Sequence, residues 1–150
     1  MTYWLMKSEP NDYSIDDLER DKMEPWDGIR NYQARNMIRD DMAIGDDVIF
    51  YHSSCKVPGA VGLAKIASAE YPDPTQFDPR GKHYDPKSKQ DDPRWLLRDV
   101  SFVRKFDRVI TLKELKEHPG LADFRLTKRG NRLSIFPVAQ EHWDIVLGLE

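Results

Sequence analysis

The sequence predicts an α+β fold built on a curled or barrel-like sheet, and three observations predict it. Strand-like runs of unequal length are separated by helical runs without regular alternation, which argues against a parallel doubly wound sheet. Neither an internal repeat nor a linker divides the 150 residues, so 1–150 reads as a single domain. A composition of 39% hydrophobic and 11% aromatic residues supplies a packed core and is not that of a disordered chain.

The elements follow in order. TYWLMK is aromatic and apolar and reads as a first strand, stopped by Pro10. YSIDDLER is a short helix in which Ser14 can cap, Asp17 occupies the third helical position and Tyr13 can staple onto Leu18. DKMEPWDGI is a loop by its Pro25 and its Asp27-Gly28 pair. From Asn31 a helix is expected, with Ala34, Met37, Ile38 and Met42 on one buried stripe and Gly45 ending the element. DDVIFYHS alternates as a strand, placing Val48, Phe50 and His52 on one face and Ile49 and Tyr51 on the other. Pro58-Gly59 turns into AVGLAKIASAEY, a long strand whose Ala60, Gly62 and Ala64 leave one face nearly bare.

Residues 71–94 hold five of the ten prolines and almost no aliphatics, so they read as a long functional or mobile loop. WLLRDVSFVRKFDRVI is a further long strand with Leu96, Val100, Phe102 and Phe106 on one face. Thr111 and Glu114 box the start of LKELKEH. RLSIF is a last short strand, and Pro137 is expected to open a C-terminal helix with Ala139, Trp143, Val146 and Leu147 on one face.

Composition narrows function mainly by exclusion. A net charge of −3 is unlike a protein that coats nucleic acid nonspecifically, yet it leaves room for a local basic patch. The lone Cys55 excludes an internal disulfide and, closing the apolar run VIFYHSSC, reads as a small buried thiol. No basic-then-apolar leader is visible, and no stretch approaches the roughly 18 consecutive apolar residues of a membrane span. Histidines 52, 83, 118 and 142 lack ligand spacing, so neither metal nor cofactor is expected. A nucleophile elbow, a P-loop and a G-x-G-x-x-G run are all missing.

The most chemically loaded stretch is WDGIRNYQARN, residues 26–36. Asn31 suits an N-cap, so free N–H groups follow it, and Gly28 permits a sharp bend or close backbone approach. Trp26 ahead of them is a flat apolar plate beside polar donors, a combination suited to a stacked nucleobase. Arg30 and Arg35 stand ready for the attached phosphates. A plainer arrangement uses the same residues: Trp26 plugs the core, Asn31 is an ordinary cap and the arginines are solvated. Lys7, Ser8 and Glu9 end the first strand, His52 shares a face with core residues, and Arg125, Lys128, Arg129 and Arg132 form a basic turn without an acid.

YWLMKSEP, WDGIRNYQARN, VIFYHS, PGAVGLAKI and RLSIFPV occur in the order in which the EVE domain family carries such motifs, and the chain resembles that family along essentially its whole length. The resemblance implies a PUA-like fold: a curved β-barrel of about five to six mainly antiparallel strands with helices packed around it. It also implies a nucleic-acid partner, DNA or RNA, carrying a modified base. Modified cytosine in DNA is favoured, N6-methyladenine is the other candidate, and the base is received in a pocket after leaving the stack. Carried onto this chain, the base pocket consists of Lys7, Ser8, Trp26, Gly28, Asn31, Tyr32, His52, Ser53 and Ser134. Arg30, Arg35, Arg125, Lys128, Arg129 and Arg132 are then the phosphate contacts, and Trp26→Ala is expected to abolish base binding while leaving the fold. The basic tail of nuclear relatives is not seen ahead of the first strand, so a cytoplasmic setting is expected. Two other functions remain open: an ASCH-like amidohydrolase acting on modified nucleosides through Lys7, Ser8 and Glu9, and a pocket for a free metabolite under a 71–94 lid.

Overall fold

The computed structural model describes residues 2–150. Its strands are β1 (Tyr3–Ser8), β2 (Met23–Pro25), β3 (Asp47–His52), β4 (Gly59–Ile66), β5 (Tyr71–Pro72), β6 (Leu96–Leu97), β7 (Asp99–Thr111) and β8 (Ile135–Val138). Its α-helices are α1 (Ile15–Asp21), α2 (Tyr32–Asn36), α3 (Leu112–Glu117) and α4 (Gln140–Gly148). Six strands form one curled sheet in the order β2-β7-β4-β3-β1-β8. β1 and β3 run parallel, from Tyr3 opposite Asp47 to Ser8 opposite His52, and every other neighbouring pair is antiparallel. The predicted α+β half-barrel is therefore the observed one.

Alternation along each strand feeds two cores, one on either face of the sheet. Val48 and Phe50 join Trp4, Met6 and Trp26 under α1 and α2, while Ile49 and Tyr51 join Leu5, Phe136 and Trp143 under α3 and α4. The expected Thr111–Glu114 capping box is present, and Ser14, the expected cap of α1, forms one with Asp17. Asn31 caps α2 by accepting the Ala34 N–H at 2.9 Å. Beyond α2 the chain continues as one π-helical turn, Met37–Asp41, so the stripe of Ala34, Ile38 and Met42 still reaches the core.

Five sequence expectations are corrected. The strand after Pro58 ends at Ile66, and the long strand around residue 100 breaks at Arg98 into β6 and β7. Phe106 lies in the opposite core from Val100 and Phe102, because Leu63 pairs with Arg104 but its neighbour Ala64 pairs with Phe102. Val103 is thus an extra, bulged residue, and one extra residue swaps the faces of everything after it. Pro137 belongs to the edge strand β8, opposite Trp4, where the missing N–H is tolerated; α4 starts three residues later. Cys55 is only half-buried.

Residues 71–94 are pinned at two buried positions, while most of their side chains stay exposed. β5 pairs with β6, a 3₁₀ turn spans Pro74–Phe77, and Asp73 and Gln76 have no exposed surface (0%). The Gln76 side chain donates to the carbonyls of Asp73 and Trp95 and accepts from Ser88 Oγ and the Trp95 N–H. That is a fully used amide, of the kind that pins a segment poor in aliphatics.

Candidate nucleic-acid interface

The parallel strands β1 and β3 end side by side, and the Ser53 N–H donates to the Ser8 carbonyl at 3.0 Å. From the other side the Lys7 N–H donates to the Ser134 carbonyl at 2.8 Å. A cleft of about 570 Å³ opens at this shared end, walled by Lys7, Ser8, Tyr13, residues 24–29, Lys82, His83 and Ser134. Its size is that of a small-ligand pocket.

Five of the nine expected base-pocket residues meet here: Lys7, Ser8, Trp26, Gly28 and Ser134. Trp26 is both wall and plug, only 8% exposed and edge-on to Phe50 with centroids 5.4 Å apart. Ser8 Oγ donates to the Tyr13 carbonyl at 2.5 Å. Burial holds the Lys7 ammonium below the usual lysine range, and it lies 5.9 Å from the centre of the Phe136 ring. The carboxyls of Glu24 and Asp27 are pushed up, chiefly by burial and then by neighbouring negative charge, Asp27 on Glu24 and Asp73 on Asp27.

The other four lie elsewhere. Asn31 is occupied in capping α2, and the Tyr32 ring lies tilted by 31° against Trp95, centroids 4.8 Å apart, with half its surface in solvent. Ser53 lines a second cleft on the far side of Lys7. His52 Nε2 accepts the Ile15 N–H at 3.1 Å, which satisfies a free donor at the start of α1 and requires a neutral ring. Burial accordingly lowers its pKa below the ordinary value of about 6.5. The stabilisation this gives is whole above about pH 6.5 and is lost as pH falls through the lower folded value. His52→Gln, which keeps an acceptor but does not titrate, should flatten the melting-temperature profile between pH 7 and 5 relative to the parent.

Arg30 is not free for phosphate. Its Nη1 donates to Asp73 at 3.0 Å and to the Ile29 carbonyl, its Nε and Nη2 to the His83 carbonyl, and its Nη2 also to Thr75 Oγ1. All five N–H groups are thereby spent inside the chain. Asp73 also accepts the Gly28 N–H at 2.8 Å and the Thr75 N–H at 2.8 Å. Although burial opposes ionisation, the hydrogen bonds from Thr75, Gly28 and Arg30 hold its carboxyl below the usual range. Asp73 is the residue that sequence reading missed. The signal was the proline-rich segment around it, but its partners lie 43 and 45 residues away.

Gly28 has φ +83°, and a Cβ there would sit 2.7 Å from His83 Nε2. Gly28→Ala should therefore cost about 1–3 kcal/mol, read by denaturant unfolding, and narrow the cleft. Of the remaining expected phosphate contacts, Arg35 donates to the Arg94 carbonyl and lies over Tyr32. Lys128 and Arg129 line the second cleft, whereas Arg125 and Arg132 are exposed and line neither.

Fold and cleft together define a class, the PUA-like half-barrel with a polar, aromatic-walled cleft at the end of its parallel strand pair. The chain belongs to the EVE domain family, whose model matches residues 2–149. It is 47% identical to mouse (Mus musculus) thymocyte nuclear protein 1 over 167 residues, spanning 99% of this chain and 73% of that protein. A crystal structure from Pseudomonas putida superposes with a TM-score of 0.94 at 48% identity, covering 98% of both chains. Human THYN1 protein, solved in complex with 5-methylcytosine-containing DNA, superposes with a TM-score of 0.93 at 45% identity, covering 99% of this chain and 97% of that one. Among the described residues no helix is long and apolar enough to cross a membrane.

Proposed function

We propose that this chain is a non-enzymatic reader of modified bases in DNA, with 5-methylcytosine as the favoured base. The observation that carries the reading is the cleft, a space of about 570 Å³ lined by Trp26, Ser8, Ser134, Asp27 and Glu24. The likeness to a protein solved with 5-methylcytosine-containing DNA supports the choice of polymer and base. Cytosine presents an exocyclic amino donor, and a carboxyl acceptor is its usual partner. A 5-methyl group needs an apolar wall, which Trp26 and Ile29 offer. Extruding the base costs a few kcal/mol, and contact with an aromatic ring returns about 1–3 kcal/mol of it. The hydrolase alternative has less in its favour, since the Ser8 hydroxyl is already donated to a carbonyl.

The test is a binding titration with matched DNA and RNA oligonucleotides, single- and double-stranded. They would carry cytosine, 5-methylcytosine, 5-hydroxymethylcytosine or N6-methyladenine, at two salt concentrations. Methylated DNA should bind at least about fivefold more tightly than unmodified DNA, and affinity should fall with salt. Equal affinity for all four bases would sink the reading. A cytoplasmic setting is part of this proposal.

A further inference from the structure

The second cleft, about 760 Å³, opens on the opposite side of Lys7 and differs from the first in charge. The first cleft mixes Lys7 and Lys82 with Glu9, Asp12, Glu24 and Asp27, and Lys82 is paired with Asp12 at 3.7 Å. The second is lined by Lys7, Lys116, Lys128 and Arg129, and no Asp or Glu lines it. Its cations are also unspent: among the described residues the lysines in ion pairs are Lys65, Lys82 and Lys105, and Arg129 is in none. The Asn131 side-chain Nδ2 is buried in its wall without a hydrogen-bond partner, a donor that costs free energy until something accepts from it. Gly130, at φ +82°, makes the turn that carries Lys128, Arg129 and Asn131 to the rim. Four cations, an orphan amide donor and the Ser53 hydroxyl form a donor set without acceptor charge, which matches a phosphate oxygen cluster and repels nothing about it.

We propose that this second cleft is an anion site that takes a backbone phosphate of the same DNA strand whose base enters the first cleft. Lys7 is the wall common to both, and Lys116 and Asn131 are the contacts that the sequence did not single out. The division of labour follows from the charges. A phosphate is repelled by the four carboxylates of the first cleft and meets none in the second, so base and backbone are sorted to opposite sides of one lysine. The backbone source rests on the reader function proposed above; the anion site does not.

The experiment is an NMR titration of the full chain with inorganic pyrophosphate, following the amides of residues 53–54 and 127–131. Saturable shifts are expected there, weakened about tenfold in a Lys116→Ala/Lys128→Ala variant, along with displacement of a bound 5-methylcytosine oligonucleotide by pyrophosphate. Both substituted side chains are exposed, so the fold is retained. No saturable shift overturns the site. Shifts without displacement of the oligonucleotide overturn the backbone source and give the cleft to a free phosphorylated small molecule. An oligonucleotide that does not bind at all overturns the base reading and the backbone source together, while the pyrophosphate shifts still decide whether the cleft takes anions.

Discussion

Asp73→Ala is expected to destabilise the protein by about 3–5 kcal/mol, because it breaks a buried ion pair and leaves its partner uncompensated. In a chain of this size that is roughly a 10 °C fall in melting temperature. The carboxylate has no exposed surface (0%) and holds the Gly28 N–H, the Arg30 guanidinium and the Thr75 N–H at once. Without it, a largely buried guanidinium loses its carboxylate partner, and the 26–30 loop loses part of its tie to the proline-rich segment. The sign of the pH dependence follows from the depressed pKa. The stabilisation is complete above the ordinary aspartate value of about 3.9 and disappears as pH falls through the folded value. Parent and variant should therefore differ by a constant amount from pH 8 to pH 5 and converge in strong acid. Chemical denaturation at several pH values measures both. A loss below about 1 kcal/mol would show that the pair behaves as a surface salt bridge and that the loop is held by other contacts.

Trp26→Leu is expected to weaken binding of a methylated oligonucleotide by about 1–3 kcal/mol, roughly five- to 150-fold. Leucine keeps apolar volume against Phe50 but removes the ring. Alanine is the wrong choice here, contrary to the sequence-based expectation that it would leave the fold. Trp26 is 8% exposed and belongs to the core cluster with Met6 and Phe50, so its truncation costs about 3–5 kcal/mol of stability. Measured by calorimetry on folded protein, unchanged affinity in Trp26→Leu would remove the indole from recognition and leave the carboxyls and serines to do it.

Much of the fold was legible because local rules and tertiary structure agree. The alternation of VIFYH announced two cores, and the Thr111–Glu114 capping box closed as written. The bulge at Val103 was not legible, since an extra strand residue carries no composition of its own and shows only in the register against β4. Part of the candidate cleft's lining was legible for a similar reason. Lys7, Ser8, Trp26 and Gly28 sit at strand ends and turns, whereas Arg30 looked free until its partner was found in a segment without secondary-structure signal. His52 was placed on the correct face, but its hydrogen bond to α1 depends on a contact 37 residues away.

The strand order has a kinetic consequence. β1 pairs with β3 on one side and with β8 on the other, where Tyr3 faces Val138 and Met6 faces Ile135. During synthesis β1 stays an open, hydrogen-bond-hungry edge until residues 135–138 have left the ribosome, and such edges recruit other chains. Because Ser134 and Lys7 are also walls of the first cleft, the last pairing event that protects the nascent chain is the same event that completes that cleft. Aggregation resistance and a complete cleft are then gained in one late step, and a molecule that fills the cleft can favour only chains that have already completed it.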